Sequence, residues 1–251
     1  MLLYIYSAVS RRGKVVLAFG ILAGFGVSVS LVIIVLGGGF SAPFTSFLSP
    51  PSNADLWTVG ENIHPGTEFR YSLTALGGHN SPWSSLVGPS SLINATVTVH
   101  FVRSEGNLWN ASFSIENGTT SKSGTMFLSK QQLTNASPVS RDFIPFYQPI
   151  ESSLLEIRDI DLDGPKYLVM GAEWNSLTIG PIGSTISAKI LDKEKVQTPA
   201  GAFTAYVLGY TIGTKPSKIW LSHGLPLPVK AEVYNAQNEL QYKFTLINKR
   251  I

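Results

Sequence analysis

The chain has 251 residues, 44% of them hydrophobic and only 14% charged, where a soluble domain carries roughly 25% charged residues. Its formal net charge of +3 resides in Arg11, Arg12 and Lys14, which leave sixteen basic residues against sixteen acidic ones in the rest of the chain. That balance excludes the basic footprint of a nucleic-acid partner, and the absence of cysteine excludes a disulfide framework, a zinc finger, a thiolate copper site, a cysteine nucleophile and a lipidated cysteine.

Residues 1–14 are read as a cytoplasmic N-terminus, 15–36 as a transmembrane helix, 37–55 as a linker and 56–251 as an extracytoplasmic β domain. The stretch Val15 to Leu36 holds 22 residues with no ionisable group; as a helix it rises about 33 Å, enough for a hydrocarbon core of about 30 Å. The apolar part of a cleaved signal peptide runs about 7–15 residues and ends at a small-residue site, so this longer run predicts an uncleaved signal anchor. Its flanking Arg11, Arg12 and Lys14 place the N-terminus inside and the remainder outside a plasma membrane crossed once. Gly20 and Gly24 form a GxxxG pair that lets a second helix approach closely. The Gly-, Ser- and Pro-rich run after the span has the composition of a flexible spacer.

Beyond the spacer the pattern alternates with period two, the mark of half-buried strands. Phe69, Tyr71, Leu73 and Ala75 share one face; so do Ala95, Val97, Val99 and Phe101, and again Trp109, Ala111, Phe113 and Ile115. Paired strands must put their apolar sets on the same side of the sheet. For the second and third runs this demands an odd loop, and "SEGNL" (104–108) sets Arg103 opposite Trp109. At the C-terminal end Val229, Ala231 and Val233 face Leu240, Tyr242, Phe244 and Leu246, which demands an even loop, supplied by "NAQN" (235–238). Further strands are expected over 121–129, 166–174, 184–196 and 202–211. "PIESSLLEIR" (149–158) reads as one short helix with Ile150, Leu154 and Ile157 on a stripe. The fold class is therefore mainly β: an antiparallel sheet with one short helix. Residues 77–91 are too long and too rich in Gly, Ser and Pro for a simple connector.

Four sequons, headed by Asn94, Asn110, Asn117 and Asn135, lie within 42 residues. On the outside of a cell they are candidate glycan acceptors, and alternation turns Asn94 and Asn110 to the polar face. "DIDLDG" opens like a calcium loop, with Asp159, Asp161 and Asp163 as candidate ligands, but Met170 stands where the bidentate Glu of such a loop belongs. An acidic turn is the alternative reading. Calcium is the one cofactor the sequence suggests. His64, His79, His100 and His223 have no metal-ligand spacing, and no GxSxG or HExxH occurs; the chain is not expected to be an enzyme.

The segments "VQTPAGAFTAY", "KIWLS", "LPLPVKAEV" and "YKFTLI", spread over Val196 to Ile247, resemble the closing strands of the curved-sheet lipoprotein-carrier (LolA/LolB-like) superfamily. Similar arrangements occur in secreted and membrane-anchored proteins of ammonia-oxidising archaea. The resemblance implies a half-barrel sheet wrapped around a helix, with an apolar interior that takes up lipid in some relatives. Separately, "RRGK" ahead of an apolar helix and a β domain resembles archaeal pilin-like subunits. The expected role is a membrane-anchored binding or accessory module that partners other membrane or envelope proteins. A pilin-like or envelope-lattice subunit and a lipid-binding domain are the alternatives.

Overall fold

The structure, a computed structural model, describes residues 6–9, 15–18, 55–77, 91–118, 120–137, 143–160, 166–179 and 184–251. The chain divides into two compact units, Met1–Ser49 and Pro50–Ile251. In the first, β1 (Tyr6–Val9) pairs antiparallel with β2 (Val15–Ala18), Val9 opposite Val15. Val15–Ala18, expected to open a helix, are thus extended, as β-branched Val15 and Val16 favour. The rest of the expected span, including Gly20 and Gly24, and the spacer up to residue 54 lie outside the described residues. Among the described residues no helix is long and apolar enough to cross a membrane.

In the second unit β3 (Glu68–Gly77), β4 (Ser91–Glu105), β5 (Leu108–Asn117) and β6 (Thr120–Ser129) form a meander. Helix α1 (Ile144–Ile160) follows, then β7 (Glu173–Ile179), β8 (Ser184–Thr198), β9 (Gly201–Thr211), β10 (Pro216–Leu221), β11 (Lys230–Tyr234) and β12 (Leu240–Arg250). The described strands make one antiparallel sheet, in the order β6-β5-β4-β3-β12-β11-β10-β9-β8-β7. The first meander runs outward from the middle to one edge; the chain crosses by the helix to the other edge and returns inward. The sheet curls. β8 and β12 stand four places apart in that order, about 19 Å in a flat sheet, yet their Cα atoms approach within 8 Å.

The first register expectation holds in the strand body and fails at the turn; in the second the apolar faces match, but the pairs lie two residues away from those a loop over 235–238 would set. Val97 faces Ile115 and Val99 faces Phe113, but the hairpin closes tightly with Glu105 opposite Leu108, and a bulge between Phe101 and Arg103 absorbs the odd residue. Val102 is the residue turned out, 42% exposed. Likewise Ala231 faces Phe244 and Val233 faces Tyr242, but Tyr234 meets Leu240 across a five-residue loop, with a bulge between Val233 and Tyr234. A bulge changes parity by one; hence the preferred turn and the buried face are both kept.

Two expected boundaries move. The strand placed over 166–174 begins only at Glu173, because Gly171 adopts φ 78° in a turn. Ahead of it Leu168 N–H donates to the Asp55 carbonyl at 2.8 Å and Trp57 N–H to that of Lys166 at 3.0 Å. The helix starts five residues before Pro149: the Phe143 carbonyl accepts from Phe146 N–H and Tyr147 N–H at 3.0 and 3.1 Å, and Pro145, near its start, occupies a position whose N–H is unbonded in any helix. Pro149 then sits inside, where it withdraws one ladder donor.

The inner face of the sheet and the helix share one core. Tyr147, Ile150 and Leu154 of α1 are buried with Phe69, Tyr71, Leu73, Val97, Phe113 and Phe244. Phe113 meets the rings of Phe143 and Tyr147 edge-on, both at 5.7 Å, and Tyr71 meets Phe244 at 5.2 Å. Each such side chain contributes roughly 1.5–3 kcal/mol by leaving water. Gly124, opposite Phe113 in the register, makes room for the helix start: a Cβ there would lie 2.2 Å from Phe143 Cε2.

Candidate functional site

The chain between β10 and β11 carries the motif that most invites a functional reading, "SHGLPLPV" (222–229). Residues 225–229 are all buried, although they form no strand. A buried irregular segment must have its backbone polar groups satisfied, and here three carbonyls are met from earlier in the chain. The Leu225 carbonyl accepts from Trp57 Nε1 at 2.9 Å, that of Pro226 from Gly60 N–H at 3.3 Å, and that of Pro228 from the Tyr71 hydroxyl at 3.0 Å. Pro226 and Pro228 have no N–H to satisfy. The corner is scaffold, a plug that ties the first described residues of the unit to the closing strands.

Above that plug four ionisable groups converge. Lys193 Nζ donates to Tyr206 Oη at 2.6 Å and lies 4.5 Å from the ring centroid; Tyr206 Oη is 3.4 Å from Asp55 Oδ2, and Asp55 Oδ1 is 3.9 Å from His223 Nδ1. The hydrogen bond to Tyr206 raises the Lys193 pKa above its ordinary value, with Asp55 adding to the effect. His223 and Asp55 are open to solvent, 62% and 46% exposed in their side chains. Such a surface quartet can hold an ionic contact at the point where the chain enters the sheet. Nothing in the local sequence signals it, since Asp55 and Tyr206 are 151 positions apart.

The outer face of the sheet falls into two parts. Over β3–β6 it is hydroxyl-rich and neutral: Ser72 faces Thr96, Thr98 faces Ser114, and Ser114 faces Ser123. The ion pair Arg70–Glu116, 2.5 Å, is exposed there. Over β8–β11 it is aromatic and mixed in charge, with Asp192, Glu194 and Glu232 in the same outer rows as Lys218 and Lys230. Ala205, Val207 and Trp220 form a second, smaller cluster separate from the main core, with Val196 packed against it. Trp220 lies between Val207 and Lys230 in the ladder; its Nε1 donates to Glu194 at 2.5 Å, and Lys230 Nζ stands 4.3 Å from its ring centroid. Lys215 stands 3.7 Å from the Tyr234 ring, and the next row reads Lys218, Glu232, Lys243. The lysine stems cover apolar surface while their charges stay in water.

Of the residues singled out from sequence, Asn94 is exposed on β4 and accepts from Thr74 Oγ1 at 2.8 Å. Asn110 is half-buried on β5, its Nδ2 donating to Glu105 at 3.0 Å. Asn117 ends β5, exposed, and Asn135 sits half-buried beside β6. Asp159 falls in the last turn of α1, whereas Asp161 and Asp163 lie outside the described residues, as do His79 and the stretch 78–90. Among the described residues no three acidic or histidine side chains gather as a metal site.

No protein-family model matches the chain, and no curated protein matches it. Among solved structures, one described as an exported protein with a YmcC-like fold from Bacteroides fragilis is 13% identical, with 79% of this chain and 100% of that chain covered at a TM-score of 0.33. A lipoprotein from Parabacteroides distasonis is 12% identical, with 77% and 99% covered at 0.34. The MucA/MucB complex of Pseudomonas aeruginosa is 11% identical, with 74% of this chain and 51% of that one covered at 0.34. Similarity of this degree transfers neither cargo nor partner to this chain.

Proposed function

We propose that residues 56–251 form a non-catalytic binding or accessory module, held at the outer side of the plasma membrane by the apolar stretch 15–36, and that it docks to another membrane or envelope protein. The partner surface is the outer face of β8–β11 and its neighbour β12. One observation carries this reading: Lys215, Lys218, Lys230 and Lys243 gather with Trp220 and Tyr234 on one side of the sheet. Aromatic residues are enriched at interfaces, and charged ones there fix orientation and on-rate. The complementary partner presents carboxylates. The same reading is supported by the chain's own helix and the 225–229 plug, which pack on the inner face among the described residues.

The test is zero-length carbodiimide crosslinking of the full chain in intact membranes, followed by peptide mapping. Crosslinks from Lys215, Lys218 or Lys230 to carboxylates of one other protein are expected, and they vanish in the triple Lys→Glu variant. Links to a second copy of this chain would replace the reading by the lattice alternative; only intramolecular links would remove it. Carbonate extraction and protease added to intact cells check the anchor and the orientation.

A further inference from the structure

We infer that Asn238 is a positioning residue of the partner surface: it lashes the β9–β10 turn to the β11–β12 turn and so fixes where Lys215 stands. The inference rests on the reading of the outer face of β8–β12 as that surface. Lys218, Lys230 and Lys243 are each laddered on both sides, to Gly209 and Glu232, to Trp220 and Thr245, and to Glu232 and Thr74. Lys215 has no such hold. It lies in the turn that follows the Thr211–Pro216 pair, and turn tips are where a chain deforms at least cost. A lysine also carries much rotamer freedom, so its place must be set by something other than the strands.

The neighbouring turn sets it. Asn238 Oδ1 accepts from Lys215 N–H at 2.7 Å, from Thr214 N–H at 2.8 Å and from Thr214 Oγ1 at 3.1 Å. Two successive main-chain N–H groups aimed at one oxygen make a concave cradle for negative charge. The turn that presents this oxygen is closed on itself. Asn235 Oδ1 accepts from Gln237 N–H at 3.0 Å and Glu239 N–H at 2.9 Å, and Asn238 N–H donates to the Asn235 carbonyl at 2.9 Å. Asn238 itself has φ 65°, a conformation that Asn adopts more readily than most residues with a Cβ. Gly213 completes the fit: a Cβ there would lie 2.6 Å from the Ala236 carbonyl oxygen and 2.7 Å from Asn238 Oδ1. The two turns therefore touch directly.

From that fixed point the lysine reaches its place. Lys215 Nζ stands 3.7 Å from the Tyr234 ring centroid, Tyr234 Oη donates to Glu232, and Tyr234 N–H donates to Ser217 Oγ at 3.0 Å. Glu232 in turn faces Lys218 and Lys243. Asn238 acts through Lys215, by setting its spacing from the laddered lysines.

The experiment uses three variants of the full chain. Asn238→Gly still permits φ 65° but removes the oxygen, Asn238→Asp keeps an acceptor oxygen, and Gly213→Ala forces the turns apart. Limited acetylation of the folded chain in mild detergent with an N-hydroxysuccinimide ester, read by peptide mass spectrometry, gives the ratio of Lys215 to Lys230 reactivity. Release of one exposed cation–π contact corresponds to about two- to fivefold. Asn238→Gly and Gly213→Ala should raise the ratio by that factor, and Asn238→Asp should leave it close to the wild-type value. In intact membranes Asn238→Gly should cut carbodiimide crosslinks from Lys215 to the partner at least threefold, while those from Lys230 persist. An unchanged ratio in Asn238→Gly overturns the inference, as does a rise at Lys215 and Lys230 together, which general loosening would give. Loss of the wild-type ratio in Asn238→Asp, or Lys215 crosslinks that persist in Asn238→Gly, overturns it as well. A ratio that responds as expected in a chain whose lysines crosslink to no other protein overturns the partner surface and leaves the Asn238 tie standing.

Discussion

The two halves of the sheet bury their residues differently. In β5 the buried and half-buried positions alternate strictly from Leu108 to Ile115, whereas β9 is buried continuously from Ala205 to Tyr210. The first meander has one dry side and one wet side. The second has a dry inner side and, outside, an apolar strip under lysine stems. Alternation in sequence reports one-sided burial, so it was plain in β3–β5 and silent about the strip around Trp220. A sheet can hide half of its chemistry in the region where its pattern is least regular.

The largest effect separating the halves should come from Phe113→Ala, beneath the hydroxyl face. It removes a ring that meets Phe143 and Tyr147 and should cost about 3–5 kcal/mol in urea unfolding, while Ser114→Ala beside it stays within about 0.5 kcal/mol. Next come two glycines with the same nominal clash. A Cβ at Gly124 meets the packed ring of Phe143 at 2.2 Å, and one at Gly209 meets the tip of Leu191 at 2.2 Å. Gly124→Ala should lose about 1–3 kcal/mol. Gly209→Ala should be much milder, because Leu191 is 38% exposed and can swing away; equal losses would mean the second half is packed as tightly outside as the first is inside. Lys230→Ala uncovers Trp220 and should cost about 0.5–1 kcal/mol, with a red shift in tryptophan fluorescence.

Titration sharpens the contrast further. Burial raises the Tyr71 and Tyr147 pKa values well above the ordinary phenol range. The folded state therefore retains those protons when the unfolded chain loses them, and the associated stability is intact below about pH 10 and declines above it. Lys193, raised by Tyr206, adds in the same direction: its contribution is complete below the unfolded lysine value and disappears as pH climbs through the folded one. Glu105 is lowered, first by the Asn110 hydrogen bond and then by Arg103, so its small contribution exists above the unfolded carboxylate range and is lost on acidification. Tyr147→Phe should flatten the alkaline limb of an unfolding-against-pH curve, and Glu105→Gln should flatten only the acid limb.

Much of this was legible beforehand where a residue's role depends on near neighbours. Tyr71, Val97, Phe113 and Phe244 announced their faces by period, and parity found the right pairing of one hairpin and the right faces of the other. The turn lengths were not legible, because a bulge at Val102 or after Val233 is decided by turn geometry competing with register. Pro149 misled as a helix start because Phe143 and Pro145 supply the N-terminal turn earlier. The Asp55, Lys193, Tyr206 and His223 quartet joins three distant stretches and leaves no periodic trace. The sequons were visible as letters; which of them sits in a turn is a property of the hairpins.

β12, which follows every other described strand in the chain, lies in the middle of the sheet between β3 and β11. During synthesis the early meander must wait with β3 exposed until the final strand arrives to zip it to the later one. Long-range closure of that kind slows folding and leaves a sticky border open meanwhile. Shortening the chain within Leu240–Arg250 should therefore yield not a slightly smaller domain but two half-sheets, each seeking another chain to complete it.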